Sequence, residues 1–126
     1  MLSDVNVTTL VAVRDLEEAT MFYEKTLRLP RVRGDQGWVQ YRSGASDLIT
    51  YETADAGSNK ATTAAWTVKD VRETVRELKA NGVISFQQYD DLPGATRHGD
   101  IHEAGPVTMA WFKDPSGNIF EINGRG

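Results

Sequence analysis

The stretch Thr8-Thr9-Leu10-Val11-Ala12-Val13-Arg14-Asp15-Leu16-Glu17-Glu18 is echoed 55 residues later by Thr63-Ala64-Ala65-Trp66-Thr67-Val68-Lys69-Asp70-Val71-Arg72-Glu73. Each copy is a predicted strand, followed by a basic residue and the start of a helix. The identical pairs are Thr8/Thr63, Val13/Val68, Asp15/Asp70 and Glu18/Glu73. Such a two-copy pattern indicates two similar modules with a shared seam, and a seam is a natural place for a ligand.

Length and composition indicate one ordinary globular domain. The chain has 126 residues, of which 40% are hydrophobic and 25% charged, and this length is enough to bury a sizeable core. The net charge of −4 without a basic block argues against nucleic acid and anionic membranes as partners. There is no cysteine, which excludes disulfides and thiolate chemistry. No apolar run approaches ~20 residues, and no signal-like segment opens the chain, so we expect a cytoplasmic protein.

The first half of the chain reads as one helix among four strands. Alternating apolar residues predict a strand over Val5–Val13. Asp15 and Glu18 then form an Asp-x-x-Glu capping box at a helix start, and Pro30 ends this helix. The remaining strands are predicted at Arg31–Arg33, Trp38–Arg42 and Leu48–Glu52, and the buried stripe of the helix at Leu16, Ala19, Tyr23 and Leu27.

The second half repeats this order after a small, polar linker at Ala54–Ala61. Asp70 and Glu73 repeat the capping box, and Asn81-Gly82 ends the second helix. A long polar loop, Asp90–Gly105, is expected to contain both histidines of the chain. The helix stripe is predicted at Val71, Val75 and Leu78, and the strands at Thr62–Val68, Val83–Tyr89, Val107–Lys113 and Asn118–Ile122, the last two joined by the turn Asp114-Pro115-Ser116-Gly117.

Three segments resemble the glyoxalase/bleomycin-resistance/dioxygenase superfamily, also called vicinal oxygen chelate proteins. They are Val13–Glu24 with its Phe-Tyr pair, Val68–Val71, and Trp111–Ile122, which carries Asp-Pro-x-Gly-Asn-x-x-Glu. The resemblance implies an α+β fold of two tandem βαβββ modules, at about residues 1–56 and 60–126 of a single domain. It also implies curved mixed sheets that enclose a cleft, and assembly as a homodimer.

The resemblance also implies where a divalent metal would be held. The ligand positions fall on Thr8, on Thr63, near Thr50 (or Tyr51 or Glu52) and on Glu121, and Glu121 alone matches the family's His, Glu or Gln. Neutral hydroxyls are poor replacements for imidazole. We therefore expect no tightly bound metal and no cofactor, with a weakly bound divalent ion as the alternative.

Glu121 and the two histidines have alternative interpretations. Glu121 either contacts a ligand or is paired structurally, with Thr8, Thr63 or an arginine as the expected partner. His98 and His102 are expected to be solvent-exposed in the long loop. The alternatives are that His102 folds over the cleft mouth and contacts the ligand, or that a histidine binds metal.

Strand alternation places small residues on the cleft side, which leaves room for a ligand. These residues are Thr8, Leu10 and Ala12 in the first module and Thr63, Ala65 and Thr67 in the second. Trp38 and Tyr51 are the preferred aromatic walls, and Trp111 or Phe112 the alternatives. The predicted ligand-binding residues are therefore Thr8, Trp38, Tyr51, Thr63, Trp111, Glu121 and His102.

Three functions remain open from the sequence. The first is metal-independent binding of a hydrophobic or aromatic small molecule in the cleft between modules. The second is a metal-dependent lyase, isomerase or dioxygenase of the same superfamily, and the third is a non-catalytic dimeric module with a vestigial cleft. No catalytic residue is assigned, and no nucleic acid or membrane partner is expected.

Overall fold

The computed structural model describes residues 1–125 and contains two helices and ten strands in that range. Helix α1 spans Leu16–Met21 and continues into a π-helical turn over Phe22–Thr26, and α2 spans Val71–Ala80. A short 3₁₀ turn covers Leu2–Asp4. The strands are β1 Thr9–Val13, β2 Arg31–Asp35, β3 Trp38–Ser43, β4 Ser46–Glu52, β5 Thr62–Thr67, β6 Phe86–Gln87, β7 Thr96–His98, β8 Ile101–Ala104, β9 Val107–Lys113 and β10 Ile119–Arg125.

The two helices begin in the same way. The Asp15 carboxylate accepts a hydrogen bond from the Glu18 backbone N–H at 3.1 Å, and the Asp70 carboxylate accepts one from the Glu73 N–H at 3.0 Å. An acceptor at this position satisfies one of the free N–H groups of the first turn. The aspartate half of each predicted capping box is therefore confirmed, whereas the Glu73 carboxylate accepts from Arg76 rather than from the Asp70 backbone.

Two open mixed sheets form the body of the α+β fold, as predicted. The first has the order β1-β4-β3-β2 and the second β5-β10-β9-β8-β7, with β6 also pairing with β9. In each sheet the strand before the helix pairs in parallel with the last strand, β1 with β4 and β5 with β10. The predicted end of the second module at residue 126 lies outside the described residues.

The hydrophobic core lies between the helices and one face of each sheet. The predicted stripe of α2 is buried, and Ala19 and Tyr23 of the first helical segment are buried too. The Tyr23 ring packs against Tyr41 of the first sheet and Phe120 of the second, with centroids 5.9 and 6.4 Å apart. One continuous core therefore joins the two sheets.

The first strand and the first helix are both shorter than predicted. The Val5–Val13 strand begins only at Thr9, and Val5 and Val7 before it are exposed. The π-helical turn ends at Thr26, four residues before Pro30, and Arg28 then adopts a positive φ of 59°. No helix in residues 1–125 has the length and apolar character needed to cross a membrane.

The predicted long loop Asp90–Gly105 is wrong. It contains the β7–β8 hairpin, which turns at Gly99 with a φ of 64° and continues the second sheet beside β9. The preceding strand, predicted over Val83–Tyr89, is reduced to Phe86–Gln87. Strands of three and four residues with mostly polar side chains give too short an alternation to be seen in sequence.

Candidate functional site

The strand register sorts the side chains of both sheets into two faces. Residues directly opposite each other on paired strands share a face, and one face of each sheet packs on the core. We call the other side of each sheet its open face. In the second sheet, one row across the open face is Ala65, Glu121, Trp111 and Gln87, and the next is Thr67, Asn123, Met109 and His102.

Glu121 is half-buried on β10 and is held by its neighbour two residues along the strand. The Asn123 side-chain amide donates to Glu121 Oε2, and Thr67 Oγ1 donates to Asn123 Oδ1 at 2.7 Å. The expected partners, Thr8, Thr63 or an arginine, are therefore wrong. One carboxylate oxygen, Oε1, makes no hydrogen bond within residues 1–125 and is free to accept one from a ligand.

Trp111 lies beside Glu121 and is flanked by two further rings. The centroids of Tyr89 and His102 each lie 4.8 Å from that of Trp111, and both rings meet it edge-on. Trp111 is 5% exposed, so its neighbours cover most of the indole. Burial, and to a lesser degree the charges of Asp91 and Glu121, raise the pKa of the Tyr89 hydroxyl, which therefore remains a hydrogen-bond donor at neutral pH.

His102 is fully buried on β8, so the expectation that it is exposed in a loop is wrong. Its Nε2 accepts from the backbone N–H of Tyr89 at 2.9 Å, and its Nδ1 lies 3.2 Å from the Asp100 carbonyl oxygen. The neutral tautomer with hydrogen on Nδ1 satisfies both contacts. Both ring nitrogens are thus used internally, and His102 contributes to the site by positioning Tyr89 and Trp111.

His98, the other histidine, is exposed as expected. Its Nε2 lies 3.7 Å from a Glu103 carboxylate oxygen, and 70% of its side chain is accessible. It stands at the end of β7 and pairs with Ile101 across the hairpin turn.

Trp38 and Tyr51, the preferred aromatic walls, lie directly opposite each other on β3 and β4. Tyr51 is 40% exposed and Trp38 is half-buried. Leu10 shares this open face and is 59% exposed. Both predicted walls are thus together, but on the first sheet, whereas Trp111, Glu121 and His102 are on the second.

The metal-ligand positions suggested by the resemblance are distributed over both halves of the chain. Thr8 is exposed ahead of β1, and Thr63 is half-buried on β5. The register row Leu10, Ile49 and Gln40 corresponds to Ala65, Glu121 and Trp111, so Ile49 is the counterpart of Glu121. The assignment of a metal-ligand position to Thr50 is wrong, because Thr50 faces the core and is fully buried. Of the two alternatives, Tyr51 shares the face of Ile49. The Glu52 carboxylate accepts a hydrogen bond from the Leu16 backbone N–H at 2.8 Å.

These residues do not fit a divalent metal. Hydroxyls at Thr8 and Thr63, an alkyl group at Ile49 and one carboxylate at Glu121 offer a single strong ligand. Within residues 1–125, no three His, Asp or Glu side chains are grouped closely enough to hold an ion.

The open face of the second sheet offers more volume for a ligand than the seam does; two larger hollows, of about 520 and 490 Å³, lie beside α1 and beside the β9–β10 turn. The cavity between β1, β4 and β5 has about 140 Å³, which is below the ~300 Å³ at which small-molecule sites begin. A hollow of about 390 Å³ lies on the open face beside Tyr89. It is lined by Lys60, Gln87, Tyr89, Lys113 and Ile119.

Lys60, Gln87 and Lys113 were not predicted as site residues. Lys113 follows Trp111 by two residues on β9, and Gln87 lies opposite Trp111 on β6, so the three side chains share one face of the sheet. This face could be assigned from the sequence only if the position of β6 were known. Lys60 lies in the connection before β5, and no periodic pattern reaches it.

The Asp-Pro-x-Gly-Asn part of the sequence resemblance has a structural role here. Asp114 is buried; its Oδ2 accepts from the Tyr23 hydroxyl at 2.7 Å, and its Oδ1 accepts from the backbone N–H groups of Ser116 and Asn118. Asn118 Nδ2 donates to the Ala12 carbonyl of the first sheet at 2.7 Å. This turn therefore fastens the two sheets together at the end of the core.

Comparison with known proteins gives one family and many similar folds. The family model of the Glyoxalase/Bleomycin resistance protein/Dioxygenase superfamily matches residues 6–122 of this chain. A search of curated proteins found no match.

Solved structures of the same fold carry several functions. The fosfomycin resistance protein FosX from Listeria monocytogenes superposes with a TM-score of 0.72 at 14% identity, covering 97% of this chain and 93% of that one. A bleomycin-binding protein complexed with bleomycin gives 0.70 at 20% identity, covering 97% and 99%. Lactoylglutathione lyase from Agrobacterium tumefaciens gives 0.65 at 14% identity, covering 95% and 92%. At these identities the likeness shows the fold alone.

Proposed function

Because the chain belongs to the Glyoxalase/Bleomycin resistance protein/Dioxygenase superfamily, we propose that it binds a hydrophobic or aromatic small molecule without a metal. The observation that carries the proposal is the open face of the second sheet. There Tyr89, which packs edge-on against the buried Trp111, lines a hollow of about 390 Å³, and the half-buried Glu121 offers one free carboxylate oxygen. The bleomycin complex of a protein with this fold supports a role in holding an organic ligand.

Aromatic side chains supply the attraction in this proposal. Stacking or edge-on contact with a ligand ring contributes about 0.5–1.5 kcal/mol per pair beyond the burial of apolar area. Glu121 accepts a hydrogen bond from a ligand N–H or O–H group, and its orientation is set by Asn123. Thr8 and Thr63 contribute hydroxyls near the start of β1 and on β5.

We further propose that a homodimer completes the site. In one chain the open face of the first sheet leaves Leu10 59% and Tyr51 40% exposed. A second copy that covers this face removes that apolar area from water and brings Trp38 and Tyr51 against a ligand from the other side. Sedimentation that shows a monomer at high micromolar concentration contradicts this part of the proposal.

Fluorescence titration with a panel of neutral and charged aromatic compounds tests the binding function, since the chain has three tryptophans. We expect Trp38→Ala and Tyr51→Ala each to weaken binding about three- to tenfold, the size of one lost aromatic contact. Ile84→Ala is the control, because Ile84 is 97% exposed and is not among the residues that line the hollow. Unchanged affinity in both aromatic variants eliminates the first sheet from the site.

Elemental analysis separates this proposal from a metal-dependent lyase, isomerase or dioxygenase. We expect purified protein to contain far less than one equivalent of Zn, Ni, Fe or Mn. Near-stoichiometric metal in protein never exposed to added ions favours the enzyme instead. If no aromatic compound binds and no metal is present, the remaining hypothesis is a non-catalytic dimeric module whose cleft is vestigial.

A further inference from the structure

The hollow on the second sheet has a charged side as well as an aromatic one. Lys113 ends β9 and lies opposite Ile119, the first residue of β10, while Lys60 approaches from the connection before β5. Ile119 is 5% exposed and forms an apolar floor. Tyr89 lines the hollow on the side that continues to Trp111.

Both lysines are without an ion-pair partner in the described part of the chain. Neither Nζ lies within 4.0 Å of a carboxylate oxygen; the same holds for Lys25 and Lys69, whereas Lys79 is paired with Asp100. Two unpaired ammonium groups beside one hollow form a local site of positive charge that suits an anion.

The negative groups near the hollow are Glu121 and Asp91. Glu121 lies on the same face, diagonally across the strands from Lys113, and both carboxylates act on the Tyr89 hydroxyl. Glu121 is already hydrogen-bonded by Asn123. The lysine end and the Glu121 end of the face therefore present opposite charges on either side of an aromatic centre.

We propose that this hollow is a subsite for the carboxylate of an aromatic acid, with the carboxylate between Lys60 and Lys113 and the ring against Tyr89. The inference rests on the proposed binding function and names its ligand class. Lysine presents a compact ammonium rather than a planar fork, so the site recognises charge without demanding bidentate geometry. The Tyr89 hydroxyl and the Gln87 amide are further hydrogen-bonding groups for the carboxylate.

Calorimetric titration with 2-naphthoate and the matched neutral 2-naphthamide tests the subsite. We expect the acid to bind about tenfold more tightly than the amide at low salt, because each of the two partly exposed ion pairs adds a small amount to the binding free energy. The difference shrinks at high salt, because screening weakens exposed charge interactions. Equal affinity of acid and amide at low salt overturns the proposal.

Charge-removing variants locate the effect. Lys60→Met and Lys113→Met are each expected to weaken naphthoate binding about three- to fivefold and naphthamide binding by less, while Lys113→Arg retains most of the affinity. Lys25→Met is the control, because Lys25 is exposed on the π-helical turn, away from the hollow. A loss in Lys25→Met equal to that in the other variants means long-range charge only and contradicts the subsite.

The same titrations distinguish failure of the subsite from failure of the binding function. If naphthamide binds and Trp38→Ala weakens it, but the acid has no advantage, the carboxylate subsite is wrong and the binding function stands. If neither compound binds at millimolar concentration, both proposals are wrong.

Discussion

The open faces of the two sheets have the same register and different contents. Where the second sheet has Ala65, Glu121 and Trp111 in one row, the first has Leu10, Ile49 and Gln40. The next row holds Thr67, Asn123 and Met109 in the second sheet, against Ala12, Tyr51 and Trp38 in the first. Polar and acidic groups are thus concentrated on the second sheet, while the first is mainly apolar.

Features shared by the two halves belong to the scaffold, and features that differ belong to the proposed site. The aspartate caps and the parallel pairing of first and last strands are the same in both halves. These features satisfy backbone groups, and any βαβββ unit needs them. The open faces are under no such requirement, so one face carries the polar groups of the proposed site and the other the apolar cover.

The largest expected effect concerns the turns that close the last hairpin of each sheet. Asp114 and Ser43 occupy equivalent turn positions, but Asp114 accepts four hydrogen bonds and Ser43 accepts one, from Trp66 Nε1 at 2.9 Å. Asp114→Ala leaves buried donors unpaired, and we expect it to lower the free energy of unfolding by about 3 kcal/mol. Ser43→Ala should cost about 1 kcal/mol.

Urea unfolding of both variants measures the contrast. Equal losses of unfolding free energy at the two positions would show that the hydrogen bonds to Asp114 do not hold the sheets together. Tyr23→Phe removes one donor to Asp114 without unpairing a backbone group, and it should fall between the two alanine variants.

The amino-acid sequence predicts the scaffold better than the site, for a physical reason. Caps, helix stripes and the β9–β10 hairpin are local patterns of a few residues, and the structure confirms them. The hydrogen-bond partner of Glu121 is Asn123, only two residues away. The sequence offers several more distant candidates for this partner and no pattern that selects Asn123. The sequence does not reveal the β7–β8 hairpin, because its strands are only three and four residues long and side-chain contacts such as Lys79–Asp100 follow no periodicity.

The burial of His102 also could not be predicted from the sequence. A histidine in a polar stretch has no pattern that indicates burial, and its two hydrogen bonds join it to Tyr89 and Asp100 in a hairpin that was not predicted. The sequence does not decide whether Trp111 or Phe112 faces the cleft, because this depends on a register that only the paired strands define.

A second prediction concerns the cores behind the two open faces at alkaline pH. Tyr41 of the first sheet is register-equivalent to Phe112 of the second. Burial, reinforced by a hydrogen bond to Glu24, raises the pKa of Tyr41 to about 12. Burial and the neighbouring Asp114 also raise the pKa of Tyr23. Ionisable rings thus lie on the first-sheet side of the core, where the second sheet has phenylalanine.

The sign of the pH effect follows from these shifts. The two tyrosines lose their protons near pH 10 in the unfolded chain and only at higher pH in the folded chain. Their contribution to the free energy of unfolding is therefore fully present below about pH 10 and is lost as the pH rises above it. We expect Tyr41 to account for a loss of about 1 kcal/mol at pH 11. Urea unfolding at pH 8 and pH 11 measures this loss, which should be smaller in Tyr23→Phe and Tyr41→Phe. An unchanged loss in the double variant contradicts the assignment.

The smallest expected effect tests the hydrogen-bonded row on the second sheet against its apolar counterpart. Thr67 corresponds to Ala12, so Thr67→Ala gives the second sheet the residue of the first at this position. The variant loses one partly exposed hydrogen bond to Asn123, and we expect a destabilisation of about 0.5 kcal/mol. A double-mutant cycle with Asn123→Ala isolates the contact from the other effects of each change. Coupling of about 0.5 kcal/mol supports a row in which Thr67 orients Asn123 and Asn123 orients Glu121. Zero coupling, together with unchanged ligand affinity in Thr67→Ala, would mean that Glu121 is oriented by Asn123 alone and that the polar row extends no further than the strand that carries both residues.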